Sequence, residues 1–186
     1  MKVFRRIGVS VLVVFLSAGF CYSVAWGQFD KARAKVHHTT GLSYFEKRQW
    51  DKAIAEYNEA IELDPRYADA YFNRGNANFN KGQYDQAIAD FTEAIEINPM
   101  LAEAYTNRGL AFAQGKGQFD QAISDFNMAI GINPRSAKAY NLRAVTYYYQ
   151  GEDDKAWKDV HKAQSLGYQF APKFLKALRE ASGRQR

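Results

Sequence analysis

The sequence predicts an all-α solenoid of stacked helix hairpins, and three observations lead there. Strings recur about every 34 residues, as in YFNRG at 71–75 and YTNRG at 105–109. Small residues hold columns at that spacing: Gly41, Gly75, Gly109 and Ala144; Ala53, Ala87, Ala122 and Ala156; Ala60, Ala94, Ala129 and Ala163. Pro65, Pro99 and Pro134 close three of the units. A fixed period of this length marks a repeat architecture, in which each unit buries its apolar face only against its neighbours.

The elements follow in order. Residues 1–25 open on the basic MKVFRR and continue as the uncharged IGVSVLVVFLSAGFCYSVA of 7–25. This reads as an export signal cut before Trp26, with Ser23 and Ala25 as the small residues a signal peptidase accepts. The alternative is an uncleaved membrane anchor, since such a stretch is long enough to span a bilayer. Either way the remainder is expected outside the cytoplasm, periplasmic or secreted. A lipid-anchored Cys21 fits less well, because bulky Phe20 precedes it. Residues 26–33 are read as an N-terminal extension.

Four units then occupy 34–67, 68–101, 102–136 and 137–170. Each has two apolar-periodic helical stretches joined by a polar turn such as NKGQYD or GKGQFD. DPRYADA and NPMLAEA break the helix between units and restart it. Large residues face the small columns: Trp50, Tyr84 and Phe119 in one, Tyr57, Phe91 and Phe126 in another. The third unit has one extra residue near Lys116 and Gly117. Residues 171–186 form a capping helix and basic tail, with Pro172 at its first turn, Phe174, Leu175 and Leu178 as its apolar face, and Gly183 as its stop.

These columns, with strings such as QYDQAIADFTEAIEINP, resemble the tetratricopeptide repeat (TPR) family over residues 34–170. The resemblance implies antiparallel helix pairs in a right-handed superhelix, the first helix of each pair lining a concave surface. It implies binding of a protein or peptide and names no partner. The fourth unit departs from the pattern at Asp153, Val160 and Tyr168, as suits a unit whose next neighbour is the cap.

Two charged columns stand out. Arg74, Arg108 and Arg143 lie in the first helices of units two to four, and Asp90, Asp125 and Asp159 in the second helices. The first unit has Thr40 and Glu56 instead, so each arginine is expected to reach its own hairpin's aspartate. Asn78 has no evident role, since Tyr44, Phe112 and Tyr147 fill its column.

The concave face suggests a binding surface. Phe45, Phe72, Asn73, Asn76, Phe79, Thr106, Asn107, Lys138, Asn141 and Tyr148 are the candidate peptide-binding residues. Asparagines would hold backbone donors and acceptors together while the aromatic rings bury apolar side chains. The resemblance also implies a basic clamp for a terminal carboxylate. Asn76, Asn107 and Lys138 match it, but Phe72 and Leu142 stand where two basic residues are expected.

No enzyme is predicted. The acidic run Glu56, Glu59, Glu62 and Asp64 is echoed at the unit period by Glu93 and Glu96, which marks structure rather than a unique acid–base pair. His37 and His38 are adjacent and diverge on a helix, so neither metal nor cofactor is expected. The formal charge of +5 falls to 22 basic against 20 acidic residues once 1–25 are set aside, which is too balanced for nucleic-acid binding. The leading reading is an envelope or extracellular adaptor, and the alternative is a self-associating structural solenoid.

Overall fold

The computed structural model of the protein describes residues 28–183. The described residues form nine helices: α1 (28–46), α2 (Trp50–Leu63), α3 (Ala68–Asn80), α4 (Tyr84–Ile97), α5 (Ala102–Ala111), α6 (Phe119–Ile132), α7 (Ala137–Tyr149), α8 (Asp153–Ser165) and α9 (Pro172–Ala181). The export signal or anchor read over 1–25, Cys21 included, and the last residues of the basic tail lie outside the described residues. The chain is already helical at residue 28, so most of the extension expected over 26–33 belongs to the first helix.

Each helix packs on the next in the chain, and the first helices of adjacent units also touch, as α3 does α5. The hairpins close where the small columns meet the large ones. A Cβ on Gly41, Gly75 or Gly109 would lie 2.5, 2.7 or 2.8 Å from the ring of Tyr57, Phe91 or Phe126. In the fourth hairpin both partners change together: Ala144 adds a methyl and Val160 gives up a ring, and both remain fully buried. The volume removed from one helix returns on the other.

The turn within a hairpin needs a left-handed residue. Arg48, Gly82, Gly117 and Gly151 fill that position with φ of 56, 75, 64 and 75°. The next amide caps the first helix: Gln49, Gln83 and Glu152 donate to the carbonyls of Tyr44, Asn78 and Tyr147, each at 2.9 Å. In the third hairpin Gln118 reaches back to Phe112. The extra residue noted in the sequence is taken up by a π-helical turn, Phe112–Lys116, that widens the end of α5. Gly115 in that turn lies so close to Tyr84 that a Cβ would stand 2.2 Å from the ring's Cγ.

The charged columns meet as expected. Arg74 Nη2 lies 2.6 Å from Asp90 Oδ1, and Arg108 Nε and Nη2 each lie 2.8 Å from an Asp125 oxygen. Arg143 Nε and Nη2 contact Asp159 at 2.6 and 2.7 Å. Nη1 of each arginine turns the other way, to the second helix of the preceding unit: Arg74 to Asn58 Oδ1 at 2.7 Å, Arg108 to Thr92 Oγ1 at 3.0 Å, and Arg143 to Asn127 Oδ1. The guanidinium also lies over the tyrosine one turn earlier, 5.3 to 5.7 Å from the rings of Tyr71, Tyr105 and Tyr140. One side chain therefore joins three helices. Asn78 has its role here, donating through Nδ2 to Asp90 Oδ2 at 2.8 Å.

A second tie crosses the unit boundaries at the turns. Lys81 pairs with Asp51, Lys116 with Asp85 at 2.8 Å, and Gln150 donates to Asp120 at 2.8 Å. At the far end α9 closes the stack. Leu178 is fully buried, Phe174 and Leu175 pack with Trp157 and Val160, and Trp157 Nε1 donates to Ser182 Oγ at 3.1 Å.

The guanidinium of Arg108 is held above its ordinary pKa chiefly by its hydrogen bond to Asp125. In a double-mutant cycle of Arg108→Ala and Asp125→Ala, urea unfolding should give a coupling of about 2 kcal/mol. Additive losses would remove the pair from the account of stability.

Candidate functional site

One concave surface draws on every hairpin. A depression of about 230 Å3 is lined by Phe45 from α1, Asn76, Phe79 and Asn80 from α3, Asn107 and Leu110 from α5, and Lys138 from α7. The first helices thus share a face, as the family resemblance implied. Three of these side chains form a ladder across it: Lys138 Nζ donates to Asn107 Oδ1 at 3.1 Å, and Asn107 Nδ2 donates to Asn76 Oδ1 at 2.7 Å. The ladder fixes the amides against one another, yet each carbonyl oxygen keeps a second lone pair and each NH2 a second proton for a ligand.

A second concavity of about 370 Å3 adjoins the first and shares Leu110 with it. Its other walls are Ala113, Gln114, Phe119, Phe126, Leu142, Val145, Thr146 and Tyr149. Its origin is a missing ring. Phe45 and Phe79 cover Trp50 and Tyr84 edge-on at 4.9 and 5.4 Å, but the third unit has Ala113 in that column. Phe119 is left uncovered on that side, and Tyr149 of the next unit stacks on it at 6.2 Å while remaining 66% exposed. Phe119, Leu142 and Tyr149 were absent from the sequence-predicted set. The lone alanine in an aromatic column is the signal that marks the gap.

The structure brings Phe45, Asn76, Phe79, Asn107 and Lys138 together and directs the other predicted residues elsewhere. Phe72 packs against the core between units two and three, its ring 5.9 Å from Phe91. Thr106 is only 4% exposed and its hydroxyl donates to the Ala102 carbonyl at 2.9 Å, so it presents nothing to a ligand. Tyr148 packs edge-on against Phe174 at 5.7 Å and seats the cap. Asn141 is half-buried on α7 and lines neither concavity.

Asn73 belongs to a hub around His38. Its Nδ2 donates to His38 Nε2 at 2.8 Å, which requires that nitrogen to be unprotonated, and His38 Nδ1 faces Tyr67 Oη at 3.2 Å. The rings of Tyr57 and Tyr67 flank the imidazole at 5.8 and 4.9 Å. Burial lowers the pKa of His38, opposed by the charge of Asp69. The neighbouring His37 takes the tyrosine column and sets Nδ1 2.8 Å from Glu56 Oε2, so the first hairpin has its own tie in place of arginine and aspartate. Among the described residues, no group of three or more His, Cys, Asp or Glu side chains is placed to hold a metal ion, and no helix is long and apolar enough to cross a membrane.

Family models for the TPR repeat match residues 41–82, and those for the tetratricopeptide repeat match 68–101 and 102–136. This chain belongs to the tetratricopeptide repeat family. Its repeats are in general non-catalytic modules of protein–protein interaction. No curated protein matches the sequence. Among solved structures, the crystal structure of MamA is 29% identical with a TM-score of 0.69, covering 76% of this chain and 84% of that one. The Arabidopsis OM64 TPR domain is 28% identical with a TM-score of 0.63, covering 64% of this chain and 98% of its own. The first TPR of Spaghetti (RPAP3), bound to the HSP90 peptide SRMEEVD, shares the fold at 24% identity and a TM-score of 0.63, covering 64% and 94%. The fourth hairpin, beyond the family matches, keeps the repeat's architecture with Val160 in place of a ring and Asp153 in place of an aromatic.

The neutral state of His38 carries a pH dependence. With its folded pKa below the ordinary value near 6.5, the unfolded chain binds more protons as pH falls past that value. The hub's contribution is therefore complete above it and is lost as pH drops through the folded pKa. Urea unfolding between pH 5 and pH 8 should show a steeper acid loss for the native protein than for His38→Gln. Parallel profiles would exclude the hub as the cause.

Proposed function

We propose that this TPR protein is an adaptor of the cell envelope or exterior whose concave face holds an extended peptide or partner helix. The observation that carries the reading is the convergence of all four first helices on one depression lined by amides, apolar side chains and a lysine. An extended chain offers a backbone donor and acceptor at every residue, and the ladder of Asn76 and Asn107 offers their complements. Phe45, Phe79 and Leu110 supply apolar wall on the same surface, and the gap at Ala113 gives a large side chain somewhere to go.

The HSP90 peptide in the first TPR of Spaghetti supports this mode of binding. The chemistry differs here, since Phe72 and Leu142 stand where the resemblance calls for basic residues. Lys138 meets a single carboxylate, and burial of apolar side chains makes up the remainder. The outward address rests on residues 1–25, whose basic start and apolar run read as an export signal or anchor.

The test uses peptides selected from a random-sequence display library on the immobilised protein. Asn76→Ala, Asn107→Ala and Lys138→Ala together should weaken them at least about tenfold, or ~1.4 kcal/mol, with the unfolding midpoint unchanged. Equal affinity for the triple variant would place the binding site elsewhere.

A further inference from the structure

Three of the four first helices carry a ring in one column, Phe45, Phe79 and Tyr148. Each of these rings has a partner. Phe45 and Phe79 lie edge-on to Trp50 and Tyr84 at 4.9 and 5.4 Å, and Tyr148 lies edge-on to Phe174 of the cap at 5.7 Å. The third hairpin has Ala113 in that column. Ala113 and Phe119, the partner such a ring would meet, both line the concavity of about 370 Å3. The facing wall changes at the same point. Asn73, Asn76 and Asn80 of α3 give way to Asn107, Leu110 and Gln114 in α5, and these to Leu142, Val145 and Tyr149 in α7. The last three all line the concavity. The groove therefore turns from amide to apolar where the repeat lacks its ring.

The other hairpins show what fits this space. In the first two, the position takes a phenylalanine ring standing edge-on to the next aromatic, an arrangement that ring quadrupoles favour. No charged side chain lines the concavity, and Thr146 commits its hydroxyl to the Leu142 carbonyl at 2.8 Å. An acidic or basic group entering it would be left unpaired, which selects against both. Leu110 belongs to this concavity and also to the depression lined by Asn76, Asn107 and Lys138, so one chain lying in the groove meets both. We propose that the gap at Ala113 takes an aromatic side chain of the bound peptide, which stands against Phe119 as Phe79 stands against Tyr84. The proposal rests on the groove reading above for the peptide, and adds to it the class of side chain that is recognised. The ligand completes the column that the repeat leaves open.

Methyl resonances of Leu110, Ala113, Leu142 and Val145 in the full chain read the concavity directly. N-acetyl-phenylalanine methylamide at millimolar concentration should shift them in a saturable way. The leucine analogue should bind at least about fivefold more weakly, and the aspartate analogue should leave the methyls unmoved. Ala113→Phe supplies the ring from within, so Leu110, Leu142 and Val145 should stop responding while the unfolding midpoint does not fall. Tyr149→Ala, at a ring already 66% exposed, removes a wall without filling the gap. It should weaken the phenylalanine analogue at least about threefold, and it carries the test if Ala113→Phe does not fold. Methyls that ignore the phenylalanine analogue, as when a second copy or residues outside 28–183 fill the gap, overturn the proposal. So does equal binding of the leucine analogue. Peptides selected from the display library separate the two readings, and those the proposal describes lose affinity at least about tenfold in Ala113→Phe. Loss in the variant with Asn76→Ala, Asn107→Ala and Lys138→Ala but not in Ala113→Phe keeps the groove and contradicts the ring. Loss in Ala113→Phe alone keeps the ring and contradicts the groove reading.

Discussion

Everything else in this structure depends on where the arginines of the first helices are held. Arg74, Arg108 and Arg143 each bond an aspartate in their own hairpin and an oxygen on the hairpin before, while lying over a tyrosine of their own helix. An exposed ion pair of this kind contributes little. Here the aspartate side chains are only 6, 7 and 3% exposed, so removing their partners would leave buried carboxylates without compensation. The network therefore penalises wrong alignments more than it rewards the right one. It sets the spacing of successive first helices, and that spacing places Asn76, Asn107 and Lys138 within reach of one another.

The first hairpin shows what happens when the network has nothing to reach back to. Among the described residues no unit precedes it and offers a third helix to join, and its column holds Thr40, whose hydroxyl donates to its own helix at the Val36 carbonyl. The tie between its two helices passes to His37 and Glu56, and the tie to the next unit to His38, Tyr67 and Asn73. Permanent charge is replaced by imidazoles, and burial lowers the pKa of one of them, His38. Phe29 and Val36 of α1 are exposed at the same end. The opposite end keeps its arginine and aspartate and adds a helix over them.

Much of this was legible in the sequence because repeats provide internal comparisons. The period, the glycines against the rings and the arginine–aspartate partnership each appear as columns, and a column is independent of any one side chain's surroundings. What escaped falls between columns or across units. The second arginine bond was hidden because its acceptors, Asn58, Thr92 and Asn127, vary in type and belong to the neighbouring hairpin. Asn78 interrupts a column of rings and only makes sense beside Asp90. Within the site, the helical face on which a residue lies was readable, but what it does there was not: Phe72, Thr106 and Tyr148 are drawn into the core, a backbone bond and the cap. The larger concavity came from an absence, the missing ring at Ala113.

The central claim is that this pre-aligned inner face is the binding surface, and amide hydrogen exchange with a bound library-selected peptide tests it most directly. Slowed exchange confined to the first helices, over 72–80, 106–114 and 138–149, with the second helices unchanged, is the result this account predicts. Protection concentrated on α2, α4, α6 and α8, or on α9, would contradict it.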